Sequence, residues 1–277
     1  MIGTKEIKRR IRGVTNIQQI TRAMEMVAAS RLKKAQSRAL SSRPYSDAIK
    51  TLMEDLLSWS SEGGVRNSAI GNRKSEIGNI ALVFITSDRG LCGGFNANVI
   101  RKAHLFIREN YPRVKTLIPI GKKGYDFMRR RGYSILAFYN QSSKEIPRAL
   151  VGDIVRTLMK GYGDAFTELH LLYTRFESVT RSLPLFLKLL PLESGNRKER
   201  SGARKAEPLL EPSLEEMIQS LLPRYIEAEI YGAMAESLAS EQGARMVAMR
   251  SATDNAEEMI KNLTLFYNQF YKRVSHL

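Results

Sequence analysis

The sequence is poor in several features, and each absence excludes a class of structure. Cys92 is the single cysteine of 277 residues, which excludes an intrachain disulfide and any zinc site built from several cysteines. No run of about 18 apolar residues occurs. The first residues, MIGTKEIKRRIRG, lack the apolar core of a signal peptide. These absences predict a soluble, bacterial-type intracellular protein.

Helix-breaking residues are missing near the N-terminus. Residues 4–43 contain no proline and only one glycine, Gly13, which predicts one helix of about 60 Å that ends or bends at Pro44. The remaining surface is basic, because residues 1–43 hold eleven Lys and Arg against two Glu. Apolar residues recur at steps of three and four and predict one buried stripe: Ile7, Ile11, Val14, Ile17, Ile20, Met24 and Val27.

The C-terminal end has the same character. Ala244–Leu277 contains neither glycine nor proline, and helix signals extend back to a capping box at Ser213 and Glu216, with candidate kinks at Pro223 and Gly232. Acids outnumber bases nine to six over residues 213–277. We therefore expect this helix to pair, antiparallel, with the basic one. Its apolar positions predict a coiled-coil seam: Met246, Met249, Thr253, Ala256, Ile260, Leu263, Tyr267, Phe270, Val274 and Leu277.

Between the two helices, apolar β-branched runs alternate with helical segments, which predicts a mostly parallel α/β sheet. The expected strands are Ile80–Thr86, Val114–Ile120, Tyr133–Phe138 and Leu169–Phe176, with a fifth candidate at Leu185–Leu190. The expected helices are Ala97–Glu109, Gly124–Arg131 and Ala149–Phe166. The predicted organisation is an N-terminal helix at 1–57, a linker at 58–78, the α/β domain at 79–192, a charged loop at 193–210 and a C-terminal helix at 211–277.

No pattern of catalytic or cofactor-binding residues emerges. The stretch TSDRGLCGGFN, residues 86–96, lacks the lysine and hydroxyl of a P-loop and has G-x-x-G-G where a dinucleotide site needs G-x-G-x-x-G. GKKGYDF, residues 121–127, is a candidate anion site, although a turn with two solvated lysines is favoured. His104, His170 and His276 do not cluster. We predict no catalytic residue, no metal and no cofactor.

Three longer stretches resemble a known family. They are IKRRIRGVTNIQQITRAMEMVAASRLKKAQ at 7–36, SDRGLCGGFNAN at 87–98 and LASEQGARMVAMRSATDNAEEMI at 238–260. Together, and with EPSLEEMIQSLLPRYIEAEIY at 211–231, they resemble the γ subunit of F-type ATP synthases. The resemblance implies a central Rossmann-like α/β domain that binds no nucleotide, beside a long antiparallel coiled coil of the two terminal helices.

The resemblance also implies a non-catalytic rotor in a complex. Its partners would be the α and β subunits of a three-plus-three head, the ε subunit and the membrane ring of c subunits, with no homo-oligomer. The complex would place the chain at the cytoplasmic face of a bacterial inner membrane, as a peripheral protein. Glu211 matches a glutamate near the c ring or ε. The matching positions for contacts with the head are Met24, Arg22, Arg31, Lys33, Glu241, Gln242 and Arg245.

The resemblance weakens at the C-terminus. After LTLFYNQ the family usually continues with KARQAAIT, whereas this sequence has FYKRVSHL and stops. Tyr271 and Lys272 replace an arginine–glutamine pair that contacts a catch loop. We therefore expect an altered contact at the upper bearing of the head.

Three rival hypotheses remain open on the residues alone. A basic coiled-coil nucleic-acid-binding protein would suit the formal net charge of +16, but QQITRAMEMVAAS interrupts its basic run. A membrane-surface helix would need aromatic residues, and none precedes Tyr45. An α/β enzyme would need the active site that is not found.

Overall fold

A computed structural model describes residues 4–62, 78–141, 144–192 and 213–275 of the chain. Two very long helices, α1 (Thr4–Glu62) and α5 (Leu214–Ser275), enclose an α/β segment in sequence. Within the described residues, no helix combines the length and apolarity needed to cross a bilayer. The elements between the long helices are β1 (Ile80–Ile85), α2 (Phe95–Glu109), β2 (Val114–Ile120), α3 (Lys122–Arg130), α4 (Arg148–Gly161), β3 (Glu168–Phe176) and β4 (Ser182–Leu190).

The two long helices pack side by side in antiparallel order. Lys8 lies over the Tyr267 ring, 5.3 Å from its centroid, and the hydroxyls of Thr21 and Thr253 are 2.8 Å apart. Farther along, the Ser46 hydroxyl donates to the Ala228 carbonyl at 3.4 Å. Residue numbers on α5 thus fall as those on α1 rise. With 59 and 62 residues, the helices are about 90 Å long, and the predicted antiparallel pair is confirmed.

Prolines do not end either long helix. Pro44 lies inside α1 and Pro223 lies inside α5, so of the two outcomes predicted at Pro44, an end of the helix is excluded. Tertiary packing offsets the hydrogen bond that each proline removes, because Ile49, Met53 and Leu56 beyond Pro44 are buried in the main core. Because α1 runs to Glu62, the first residues of the expected 58–78 linker are helical.

Charge contributes little to the pairing of the helices. Arg43 and Glu236 form an ion pair across the interface at 3.2 Å, as the basic and acidic helices predict. Another pair, Arg250 with Glu25 at 3.2 Å, has the base on α5 and the acid on α1. The arginine side chains are 49% and 72% exposed, although their glutamates are mostly buried, and pairs at the surface typically contribute about 0–1 kcal/mol. Packing along the seam therefore holds the helices together.

The predicted seam of α5 is confirmed over its described part. Met249, Thr253 and Ala256 are buried, and Met246 is half-buried. Farther along, Ile260, Leu263, Tyr267 and Phe270 are half-buried, whereas the residues between them are exposed. Leu277 lies outside the described residues. The start of this helix is also as predicted, because the Ser213 hydroxyl accepts a hydrogen bond from the Glu216 amide at 3.3 Å.

The predicted stripe of α1 is wrong beyond Val14. Ile17, Ile20 and Val27 are 54%, 59% and 49% exposed, whereas Thr21 and Ala28 are buried against α5. The predicted stripe took three consecutive steps of three residues, from Ile11 to Ile20. Each residue advances about 100° around the helix, so a step of three falls about 100° short of a step of four. Repeated steps of three therefore carried the predicted stripe from the seam to the opposite side of the helix.

The α/β domain is a four-stranded sheet in the order β2-β1-β3-β4. β1 pairs in parallel with β2 and β3, and β3 pairs antiparallel with β4, so the mostly parallel sheet is confirmed. Alternate residues of β1 enter two cores. Leu82 and Phe84 pack with α2, while Val83 and Ile85 belong to the core shared with α4 and α5. The coiled coil therefore covers one face of the sheet.

Hydrogen bonds fasten α5 to the sheet. The Ser237 hydroxyl accepts from the Thr174 amide at 3.0 Å, and the Ser240 hydroxyl donates to the Thr174 carbonyl at 3.2 Å. Ser237 and Ser240 are buried. Because these bonds join a strand backbone to a helix inside the core, the coiled coil and the α/β domain form one packed body.

One predicted strand does not form. The segment Tyr133–Phe138 makes only isolated bridges to the outer edge of β2, with Leu136 N–H donating to the Leu117 carbonyl at 3.0 Å and Tyr139 N–H to the Pro119 carbonyl at 3.2 Å. Pro119 has no N–H to return a hydrogen bond at this edge, so a continuous ladder cannot form. The charged loop predicted at 193–210 lies outside the described residues.

Candidate functional site

The turn between β1 and α2 is held by a dense set of hydrogen bonds. The Ser87 amide donates to Asn96 Oδ1 at 2.9 Å, and the Ser87 hydroxyl donates to the Arg89 carbonyl at 2.5 Å. Asn96 Nδ2 donates to the Ser87 hydroxyl at 2.7 Å and lies 3.2 Å from the buried Cys92 Sγ. Burial raises the pKa of the Cys92 thiol, so this sulfur is a neutral packing group rather than a nucleophile.

The same turn is fixed to α3. Asp88 Oδ1 accepts a hydrogen bond from the Lys122 amide at 2.9 Å, so a carboxylate of this chain already occupies the helix N-terminus that made GKKGYDF a candidate anion site. This observation favours the turn interpretation of that stretch. Within the described residues, no group of three or more His, Cys, Asp or Glu side chains is arranged to hold a metal ion.

Arg245 of α5 connects the turn to the coiled coil. Its Nη1 donates to Glu241 Oε1 at 2.6 Å, and its Nη2 donates to the Gly90 carbonyl at 3.3 Å. The side chains of Arg245 and Glu241 are only 9% and 3% exposed. Burial raises the pKa of the Glu241 carboxyl, and the Arg245 guanidinium opposes that shift. One guanidinium therefore satisfies a buried carboxylate and a backbone carbonyl of the turn together.

A groove of about 320 Å³ lies where α1, the turn and α5 meet, and we call it the junction groove. Leu91 forms part of its wall with 63% of its surface exposed. Three of the ten lining residues are arginines and none is acidic. The groove is thus apolar and positively charged. Its lining residues are Ala23, Met24, Val27, Ala28, Arg31, Arg89, Gly90, Leu91, Gln242 and Arg245.

The structure brings together most of the residues expected to contact the head. Met24, Arg31, Gln242 and Arg245 line the junction groove, although they come from opposite ends of the sequence. Glu241 lies behind them, bound to Arg245. The side-chain oxygen Oε1 of Gln242 is buried without a hydrogen-bond partner in the described structure. This convergence makes the groove the best candidate for a binding surface.

The other expected site residues lie elsewhere. Arg22 and Lys33 are exposed on α1 but do not line the groove. Glu211 lies outside the described residues. The structure therefore places Arg22 and Lys33 outside the junction groove.

Sequence reasoning missed Val27, Arg89 and Leu91 as groove residues. Val27 could have been found from the sequence, because it belongs to the predicted apolar stripe of α1, and the structure leaves that part of the stripe exposed. Arg89 and Leu91 lie inside the conspicuous turn, but nothing in their spacing indicates that α1 and α5 approach it.

Comparison with known proteins extends over nearly the whole chain. Residues 3–271 match the family model described as ATP synthase. The ATP synthase gamma chain of Desulforamulus reducens is 40% identical over 271 residues, which are 97% of this chain and 93% of that protein. The chain belongs to the ATP synthase gamma chain family. A second gamma chain, from Alkaliphilus metalliredigens, is 41% identical over 272 residues, covering 97% of this chain and 92% of that one.

Chains in solved ATP synthase structures share the architecture. A chain of the Tetrahymena thermophila mitochondrial ATP synthase central stalk and c-ring matches with a TM-score of 0.66 and 26% identity, covering 84% of this chain and 99% of that chain. A rotor chain of the Euglena gracilis enzyme, with a TM-score of 0.55 and 16% identity over 89% of this chain and 99% of that chain, shows likeness of fold alone. The predicted coiled coil with a Rossmann-like domain is thus confirmed. These matches give no support to the nucleic-acid alternative.

Proposed function

We propose that this gamma-family chain is the non-catalytic rotor shaft of a rotary ATP synthase. In this proposal its coiled coil turns inside a head of α and β subunits, and the rotation couples ion flow through a c ring to ATP synthesis or hydrolysis. The observation that carries the proposal is the pair of long antiparallel helices bonded to the sheet through Ser237 and Ser240, because a shaft must transmit torque without slipping against its own base.

A rotor must also present different surfaces to its surroundings as it turns, since a ligand shifts an equilibrium only through differential contacts. The described structure is strongly one-sided. The α/β domain covers one flank of the coiled coil, and α1 presents Ile17, Ile20 and Val27 on its exposed surface. Rotation would therefore offer each surrounding subunit an apolar, basic surface in turn.

The residues of the junction groove are the proposed contacts with the head. Met24 and Val27 supply apolar surface, while Arg31 and Arg89 supply positive charge. Nearby Arg22 and Lys33 extend the basic surface along α1. An acidic lever of the β subunit would complement this charge. Glu241, Gln242 and Arg245 would hold the turn in place beneath that contact.

The end of the coiled coil where α1 finishes and α5 begins is the proposed membrane side. There the α/β domain would lie beside ε and the c ring, with Glu211 among the contacts. The chain would reach the cytoplasmic face of a bacterial inner membrane through the complex rather than by its own insertion.

Reconstitution with cognate subunits tests the proposal. An affinity tag on β should recover an assembly of α, β and this chain that hydrolyses ATP, although the chain alone hydrolyses none. Omitting the chain is the matched control and should give a lower steady-state rate of ATP hydrolysis. Recovery of α and β without this chain, together with salt-sensitive binding of the chain to DNA, would contradict the proposal.

A further inference from the structure

A polar cleft of about 480 Å³ opens where three helices meet, and we call it the three-helix cleft. Its walls come from α1 between residues 41 and 46, from Arg148 at the start of α4, and from α5 between residues 224 and 231. It shares no lining residue with the junction groove. A cleft of this volume suits a small organic ligand.

Two arginines bring positive charge to the cleft that the fold does not use. Arg148 and Arg224 both line it and both are exposed. Among the residues that the structure describes, neither guanidinium forms a hydrogen bond or an ion pair, although Glu227 lies only three residues from Arg224. A guanidinium presents its N–H donors as a planar fork that matches a phosphate group. The cleft therefore offers an anion two unused forks.

The cleft also offers groups that accept hydrogen bonds. The Ser41 hydroxyl donates to the Arg38 carbonyl at 3.0 Å. The Ser46 hydroxyl donates to the Ala228 carbonyl at 3.4 Å. These protons are engaged within the protein, so the two hydroxyl oxygens keep lone pairs for a donor inside the cleft. The carboxylate of Glu227 is a further acceptor. A ligand that carries hydroxyls beside its anionic group would satisfy both the arginines and these acceptors.

Two tyrosine rings complete the lining. Tyr45 belongs to α1 and Tyr231 to α5, and neither hydroxyl has a hydrogen-bond partner among the described residues. Tyr45 is 58% exposed, so much of its ring is open to a ligand. Aromatic side chains bind planar rings by stacking. The cleft thus combines surface for a ring with donors for an anion.

We infer that the three-helix cleft binds a phosphate ester that carries ring hydroxyls, as nucleotides and sugar phosphates do. The phosphate would lie between Arg148 and Arg224, and the ring hydroxyls would donate to Ser46 and Glu227. The site differs from the turn at residues 86–96, so the spacing of its glycines has no bearing on it. The inference goes beyond the rotor proposal and does not depend on it, because only residues of this chain form the cleft.

Equilibrium dialysis of the purified full-length chain alone, against radiolabelled ADP, measures binding. Ribose 5-phosphate and pyrophosphate serve as competitors, since the first lacks the base and the second lacks the hydroxyls. The double variant Arg148→Gln with Arg224→Gln removes both guanidinium groups from the cleft. Arg101→Gln with Arg108→Gln is the matched control, because these two arginines are also exposed and do not line the cleft.

We expect saturable binding of ADP, displaced by ribose 5-phosphate and only poorly by pyrophosphate. The cleft double variant should raise the Kd by about tenfold or more, with a smaller rise for Arg224→Gln alone and no change for the control. The thermal midpoints should stay at the wild-type value, because the substituted side chains are exposed. ADP that binds more tightly than ribose 5-phosphate would identify a nucleotide as the occupant, and equal affinities would identify a sugar phosphate.

Three results would overturn the inference. The first is the absence of saturable binding up to about 1 mM ADP. The second is an equal rise in Kd for the two double variants, because net charge rather than the cleft would then attract the ligand. The third is displacement by pyrophosphate as effective as that by ribose 5-phosphate, because the hydroxyls would then contribute nothing. Each of these results would leave the rotor proposal intact.

Discussion

Replacement of Arg245 by alanine should strongly destabilise the chain. The Glu241 carboxylate, 3% exposed, would lose the guanidinium that lies 2.6 Å away, and the Gly90 carbonyl would lose its 3.3 Å donor. Removing one partner of a buried ion pair typically costs about 3–5 kcal/mol. Arg31 also lowers the pKa of Glu241 through its charge. Because Arg31 keeps part of the compensation, we expect a loss near the lower end of that range.

The loss should depend on pH in a defined direction. Burial raises the folded-state pKa of Glu241 above its usual 4.5, and removing Arg245 raises it further. A carboxyl with a raised folded pKa binds its proton more tightly in the folded state. Stability therefore falls as pH rises from the unfolded pKa through the folded pKa. The penalty of Arg245→Ala should thus be largest at neutral pH and shrink as pH falls toward about 5.

Urea unfolding of the full chain, followed by circular dichroism at neutral pH and at about pH 5, measures the free energy of unfolding under both conditions. The double variant Glu241→Gln with Arg245→Met removes both charges, and we expect it to recover most of the loss. Arg156→Ala is a control, since Arg156 forms an exposed ion pair with Asp153. A loss below about 1 kcal/mol for Arg245→Ala, or an equal loss at both pH values, would refute the reasoning.

Two further predictions concern the seam of the coiled coil and two glycines of the α/β domain. Thr21→Val and Thr253→Val should each cost about 1 kcal/mol, and the double variant should cost less than their sum because the two hydroxyls, 2.8 Å apart, bond each other; additive losses in thermal unfolding would contradict this. Gly132→Ala, at φ 76° in open space, should cost about 1 kcal/mol. Gly121→Ala should cost about 3 kcal/mol or more, because its Cβ would collide with the Thr86 carbonyl; equal losses would exclude the clash.

Regular elements were largely predictable because their signals are local. The seam of α5 follows from uninterrupted steps of three and four, and the Ser213 cap follows from one short motif. β2 was predicted with its observed bounds, Val114–Ile120. The segment Tyr133–Phe138 has the composition of a strand, but the missing N–H of Pro119 lies on a neighbouring strand. Its effect could be foreseen only with the strand order known.

The junction groove was less predictable, for a different reason. Met24 and Arg245 were expected to share a role through resemblance alone, because no local pattern joins residues so far apart in the chain. Their approach depends on the antiparallel register of α1 and α5 and on the position of the turn above them. The positive φ of Leu91, 63°, was not foreseeable either, since leucine carries no preference for positive φ.

The misassigned stripe of α1 shows what periodicity measures. A helix inside a larger assembly needs one apolar stripe for its partner helix and another for the surrounding subunits, and both repeat at steps of three and four. Thr21 and Ala28 occupy the inner stripe with small or polar side chains, whereas Ile17, Ile20 and Val27 occupy the outer one and are 49–59% exposed. At these positions the larger apolar residues thus face outward, which is the reverse of what an isolated coiled coil favours. In the proposed rotor, burial of this outer stripe within a surrounding head would account for that reversal.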